Sequence, residues 1–156
     1  MSSEPLMIQS SSAHDRPLAD WYTQIRLGQI KLPRFQRMEA WDRNRIISFI
    51  NTILQNLPIG VTLILEVGDY EKFISRFIET ADPKITERVG QHLLDGQQRL
   101  TAFWRAVHNN YEWETYFVYI PEFDEYHETP WSDSMEVYCR TRYVRNGKTY
   151  PMWPDY

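Results

Sequence analysis

The chain has 156 residues, enough for one domain with a sizeable core. Its formal charge of −4 supplies no global basic field, so any contact with nucleic acid needs a local patch. A single cysteine, Cys139, excludes an internal disulfide and a Cys-rich zinc site, and no run approaches the ~18 apolar residues of a membrane span. The N-terminus lacks a secretory pattern, and the expected setting is reducing and cytoplasmic. An aromatic content of 15% predicts a folded chain away from the ends.

Residues 1–15 carry Ser10-Ser11-Ser12 and little periodicity, and read as a loose leader. Pro17 opens a first helix with the stripe Leu18, Trp21, Tyr22 and Ile25, and Gly28 ends it. Ile30 to Leu32 is short and extended. Residues 33–41 show neither alternation nor helical spacing, so they form a loop carrying Arg34, Gln36 and Arg37. Asp42 is the N-cap of a second helix, with Trp41 and Ile46 at the spacing of a hydrophobic staple. Ile46, Ile50, Ile53, Leu54 and Leu57 give that helix its stripe, and Pro58 stops it. After the turn at Ile59-Gly60, Val61 to Leu65 is a continuous apolar run, expected as a central strand.

Tyr70, Phe73, Ile74, Phe77 and Ile78 predict a further helix, broken at Asp82-Pro83, with Ile85 to Val89 as a charged approach to the next strand. Leu93-Leu94-Asp95-Gly96 then runs straight into a helix pattern with Leu100, Phe103, Trp104 and Val107 on one face. Thr115 to Ile120 is a strand with Tyr116, Val118 and Ile120 on one side. Residues 122–136 hold six acidic residues and no Lys or Arg, read as a solvated loop rather than a metal site, because no calcium-loop order is present. Glu136 to Val144 alternates, with Val137, Cys139, Thr141 and Tyr143 facing one way. Asn146-Gly147 predicts a two-residue hairpin turn into a last strand, Lys148 to Met152. The sequence stops soon after that strand, which suggests a piece of a longer chain. The expected divisions are a leader over 1–15, a core over 16–120, and an acidic loop with a C-terminal hairpin over 121–156.

Two polar stretches, Gln36-Arg37 and Asp95 to Arg99, each precede an amphipathic helix. The second sits on a strand-to-helix turn, where first-turn amides and the helix dipole favour an anion. Arg99 and Arg37 can add planar forks of donors, a combination suited to a polyphosphate. Asp95 could then hold Mg²⁺, directly or through water, and Gln97 or Gln98 could orient an attacking water. The competing explanation is local: Asp95 caps the helix, Gln98 completes a capping box, and Gly96 relaxes the turn. Arg37 likewise has a simpler assignment as a surface ion pair with Glu39 or Asp42. Arg34, Phe35, Arg37, Trp41 and Arg43 form a basic and aromatic set able to clamp a nucleic-acid strand. Of the four histidines only His92 lies near the central turn. No Walker sequence, nucleophile elbow or His-Glu-x-x-His occurs.

Pro33-Arg34-Phe35-Gln36-Arg37, Trp41, Leu57-Pro58-Ile59-Gly60 and Leu94-Asp95-Gly96-Gln97-Gln98-Arg99-Leu100-Thr101 together resemble the N-terminal domain of GmrSD-type modification-dependent restriction endonucleases. That family lies in the ParB/sulfiredoxin-like superfamily, and the resemblance runs from about Trp21 to Tyr119. It implies an α/β domain, with a small mixed sheet flanked by helices, that binds and hydrolyses a nucleoside triphosphate at the D-G-Q-Q-R turn. It further implies coupling to DNA cleavage in phage defence. Asp95, Gln97, Gln98 and Arg99 would line the phosphate site, with Gln36 and Arg37 opposite and Gly96 and Thr101 completing the nucleotide-binding set. Arg34 and Arg43 are the candidate DNA contacts, and Mg²⁺ the candidate cofactor. One departure stands out. Family members are usually much longer and cleave through a C-terminal His-Asn-His-type module, which has no counterpart here. Two other readings stay open: a direct DNA-binding or nicking module, and a non-catalytic interaction domain.

Overall fold

A computed structural model describes residues 13–83, 88–120 and 135–151. The leader over 1–12, the approach over 84–87, the acidic loop over 121–134 and the end of the last predicted strand at Met152 lie outside the described residues.

The first helix, α1 (Leu18–Arg26), starts on Pro17 and buries Trp21 and Ile25; Gly28 follows it at φ 70°. Strand β1 (Ile30–Pro33) is almost wholly buried. Helix α2 (Arg43–Leu54) begins as expected: the Asp42 side chain accepts the Arg45 amide at 2.9 Å. Trp41 packs against the cluster that contains Ile46. The helix ends before Pro58, because Asn56 turns left-handed at φ 54°, and Leu57 is left exposed.

Strands β2 (Leu63–Glu66), β3 (Ser75–Arg76) and β4 (Gln91–Asp95) join β1 in a mixed sheet of order β2-β4-β1-β3. β1 and β4 are parallel, while β2 and β3 pair antiparallel with β4 and β1. The sheet departs from the sequence-based expectations in two places. The apolar run at 61–65 is an edge strand, not a central one, and Val61 and Leu63 are exposed. The helix expected over Tyr70 to Ile78 does not form. Ser75 and Arg76 pair instead with Pro33 and Leu32, and the Arg34 amide donates to the Ile74 carbonyl at 2.9 Å. Phe73 turns edge-on to Phe35, and Ile78 enters the core. Long-range pairing to β1 outweighs the local spacing of these aromatic residues.

Helix α3 (Gln97–Val107) lies between two cores. Leu100 and Trp104 join Trp21, Ile25, Ile30, Leu32 and Leu93 on one side. Ala102 faces Ile46, Phe49, Tyr111, Tyr116 and Val137 on the other. The predicted stripe is therefore only half of the buried surface, and Val107 is exposed. Burying each large apolar side chain stabilises the fold by about 1.5–3 kcal/mol, so α3 is the element that fixes everything attached to its first turn.

Strand β5 (Glu114–Tyr119) pairs with β6 (Glu136–Thr141), and β7 (Tyr143–Arg145) with β8 (Lys148–Tyr150). Thr115 and Tyr116 are the buried pair in β5, whereas Val118 and Ile120 are exposed, so the predicted face holds only at Tyr116. The expected strand over 136–144 divides at Arg142, whose amide bonds the Trp113 carbonyl. Asn146 and Gly147 both have positive φ, 53° and 74°, as a type I′ turn requires.

Candidate functional site

Strand β4 ends at Asp95 and the chain reverses at Gly96, φ +93°, directly into α3. Gly96 itself is the N-cap, and no side chain caps the helix. The first intrahelical bond runs from the Leu100 amide to the Gly96 carbonyl, so the amides of residues 97–99 precede the helical ladder. The expected capping box is thus absent. Asp95 leaves its carboxylate 75% exposed and Gln98 turns away from it. A Cβ on Gly96 would meet Thr62 Oγ1 at 2.9 Å, so both the dihedral and the space require glycine.

The three glutamines tie the 36–40 loop to this turn. Gln36 Nε2 donates to the carbonyls of Leu93 at 2.6 Å and Leu94 at 2.9 Å. Gln97, buried, donates to the Arg37 carbonyl. Gln98 uses both ends: Oε1 accepts the Ala40 amide at 2.7 Å, and Nε2 donates to the Met38 carbonyl at 3.1 Å. A neutral amide suits this task because the loop offers both carbonyls and an amide. Gln98 thus spends one acceptor site and one donor on the loop, and Gln97 one donor.

A further tie fixes the same loop. Glu39 is paired with Arg105 of α3 and accepts the Tyr111 hydroxyl at 2.5 Å. Arg105 also lies over the Tyr111 ring at 4.1 Å. Burial, reinforced by the hydrogen bond to Glu39, pushes the Tyr111 hydroxyl well above the ordinary tyrosine range.

Arg99 holds the opposite wall. Its guanidinium donates to the Ile59 carbonyl at 2.9 Å and to the Val61 carbonyl, with Asp95 Oδ2 3.9 Å away. Arg37 differs. Its side chain is exposed and forms no ion pair with Glu39 or Asp42, which are taken by Arg105 and Arg45.

Between these walls lies a cleft of about 430 Å³, lined by Gln36, Arg37, Trp41, Leu94, Asp95, Gly96, Gln97, Gln98 and Arg99. The two polar stretches singled out in the sequence therefore meet in one place. Thr101 does not reach it: the residue is buried within α3, and its Oγ1 has no partner. Arg34 is exposed outside the lining. Arg43 is drawn away to Glu114 at 2.9 Å and to Thr141, tying α2 to β5 and β6. The hydrogen bond to Glu114 raises its already high pKa.

A family model described as GmrSD restriction endonuclease, N-terminal domain, matches residues 18–150. The chain belongs to this family. The chain is also similar to "Uncharacterized protein MJ0686" of Methanocaldococcus jannaschii, with 36% identity over 103 residues. That match covers 62% of this chain but 18% of the relative, so the chain spans less than a fifth of that protein's length. No solved structure matches.

His92 lies buried in the sheet rather than in the cleft. It is fully buried on β4, with Nε2 3.3 Å from Glu71 and its ring beside Phe73. Hydrogen bonds from Ser75 and His92 hold the Glu71 carboxyl below the usual glutamate range. No cluster of three His, Cys, Asp or Glu side chains able to hold a metal occurs among the described residues. No helix among them is long and apolar enough to cross a membrane. The feature that the sequence disclosed least is the set of main-chain ties made by Gln36, Gln97, Gln98 and Arg99. Their partners lie 38 to 60 residues away, so no local pattern signals them.

Proposed function

We propose that the cleft binds the polyphosphate of a nucleoside triphosphate and hydrolyses it slowly, within a restriction-system protein whose DNA cleavage resides in another module. The observation that carries this reading is the convergence of Arg37 with the Asp95–Arg99 turn on one cleft. The volume suits a ligand of nucleotide size. First-turn amides of α3 and the unpaired Arg37 guanidinium supply donors for phosphate oxygens. Arg99 keeps part of its donor fork for the loop at 59–61 and contributes charge at close range. Asp95, exposed beside the turn, fits a Mg²⁺ that takes its other ligands from phosphate and water, as that ion usually does. When bound, the ion would neutralise charge on the phosphates. Hydrolysis then requires a water oxygen to bond the γ-phosphorus as that atom's bond to the β,γ-bridging oxygen breaks, giving the nucleoside diphosphate and inorganic phosphate, with the water's proton passing to a phosphate oxygen or to solvent. Arg37 would stabilise the charge in transit.

Phosphate release from nucleoside triphosphates with Mg²⁺, by the intact chain and by Arg37→Ala, tests the reading. Slow release that falls at least about tenfold in the variant is expected for loss of a charge-stabilising donor. Equal release from both proteins overturns it.

A second reading has an observation of its own. The D-G-Q-Q-R side chains spend much of their bonding capacity on the main chain of two neighbouring loops. That is what a non-catalytic interaction domain would use them for, and it predicts a folded Arg37→Ala variant with no lost ligand.

A further inference from the structure

The cleft is chemically uneven. Asp95 to Arg99, Arg37 and Gln36 make it polar, and Trp41 is the aromatic side chain in its lining. Trp41 is also held in place. Its ring stands edge-to-face on Phe49, with centroids 5.4 Å apart and planes at 73°, and it packs against the core between α2 and β6. The residue before it, Ala40, is fixed through its amide by Gln98, and the residue after it, Asp42, caps α2. Trp41 is thus a partly buried indole clamped on both sides in the chain, beside the turn that offers amides to an anion.

We infer that Trp41 is the platform on which the base of the bound nucleotide stacks. The inference rests on the nucleotide reading of the cleft and adds how the site treats the base. Guanidinium, carboxylate and side-chain amide groups all read base edges, and on the phosphate reading Arg37 and Asp95 are committed to the polyphosphate and its ion. Here Gln98 is engaged at both ends, and the amide nitrogens of Gln36 and Gln97 are engaged with main-chain carbonyls. Gln36 Oε1 has no partner, but it is enclosed and out of a base's reach. The base is therefore held by its π-face rather than by its edge. Stacking tolerates every base and grows with ring area, so the site accepts all four nucleotides with purines ahead.

Titration calorimetry with Mg²⁺ tests this, using ATP, CTP and inorganic tripolyphosphate as ligands for the intact chain, Trp41→Leu and Trp41→Tyr. The expected result is that Trp41→Leu weakens both nucleotides about tenfold and leaves tripolyphosphate unchanged, while Trp41→Tyr keeps most of the affinity. If Trp41→Leu fails to fold by circular dichroism, Trp41→Met, which fills the same core by a flexible side chain, serves for the same comparison. An equal change for nucleotide and tripolyphosphate, or wild-type nucleotide binding no tighter than tripolyphosphate, overturns the stacking role while leaving the phosphate site intact. Wild-type protein that binds none of the three ligands overturns the cleft reading, and the stacking role falls with it.

Discussion

The Arg99 guanidinium occupies the space that a side chain on Gly60 would need. A Cβ built on Gly60 would stand 2.3 Å from Arg99 Nη1, and Gly60 has φ +90°. The arginine can reach the Ile59 and Val61 carbonyls because the residue between them has no side chain. Gly60→Ala is expected to destabilise the fold by about 1–3 kcal/mol, from the left-handed backbone and the displaced guanidinium. Gly68→Ala, with open space around it, is the neutral control. In urea denaturation, Gly60→Ala with Arg99→Ala should cost less than the sum of the two single changes, since removing the guanidinium removes the clash. Strict additivity would contradict this coupling.

Gln97 gives a sharper test of the loop ties. Its buried amide nitrogen donates to the Arg37 carbonyl. In Gln97→Glu a carboxylate would face that carbonyl, with two acceptors opposed and a charge out of water. A loss of about 2–4 kcal/mol is expected at neutral pH. The loss should shrink as pH falls and the carboxyl becomes a donor. A pH-independent change below 0.5 kcal/mol, a limit set by ordinary surface substitutions of about that size, would remove Gln97 from the account.

Glu39 and Arg105 form the most enclosed ion pair among those described, with side chains 6% and 14% exposed. Removing Arg105 strands the Glu39 carboxylate, whereas Arg105 has a second carboxylate, Glu79, at 3.5 Å. Arg105→Met is expected to cost about 3–5 kcal/mol. Tyr111→Phe, which removes one hydrogen bond to the carboxylate, should cost about 1.5–3 kcal/mol. Chemical denaturation midpoints check both, and the order of the two losses is the decisive part.

Tyrosine ionisation sets an alkaline limit. Burial and hydrogen bonds to Glu39 and Glu114 raise the hydroxyl pKa of Tyr111 and Tyr116 respectively. Above about pH 10, the ordinary tyrosine value, the unfolded chain releases these protons while the folded chain keeps them. The unfolded state then binds fewer protons, so stability is full below about pH 10 and falls as pH rises beyond it. Melting followed from pH 8 to 11 should show this fall, and it should be shallower in Tyr111→Phe with Tyr116→Phe. An unchanged slope in that double variant would contradict the assignment.

What the sequence disclosed was local chemistry. The Asp42 cap, the Asn146-Gly147 hairpin and the strand-to-helix turn at Gly96 each depend on neighbours within a few residues. What it hid was set at long range. Tyr70 to Ile78 has helical spacing, yet β1 offers Leu32 and Pro33 as pairing partners, and that pairing decides its backbone. Val61 to Leu65 reads the same whether central or at an edge, because the place of a strand in the order is a property of the whole sheet. The site shows the same division. The meeting of Arg37 with the Asp95–Arg99 turn was foreseeable from two polar stretches before two helices. That Arg99 is spoken for by carbonyls at 59 and 61, whereas Arg37 is not, depends on packing 38 to 40 residues distant.

That difference selects the decisive experiment. Arg99→Ala would perturb a loop as well as a ligand, but Arg37 lines the cleft without holding the fold. Thermal melting of the intact chain and of Arg37→Ala should be followed against rising Mg²⁺–nucleoside triphosphate. A ligand at about 100 times its Kd stabilises by about 2.7 kcal/mol. The account predicts that the wild-type melting temperature rises with nucleotide, while Arg37→Ala melts at the unliganded wild-type temperature and rises little. A wild-type protein that nucleotide does not stabilise, or an Arg37→Ala variant stabilised to the same extent, would contradict it.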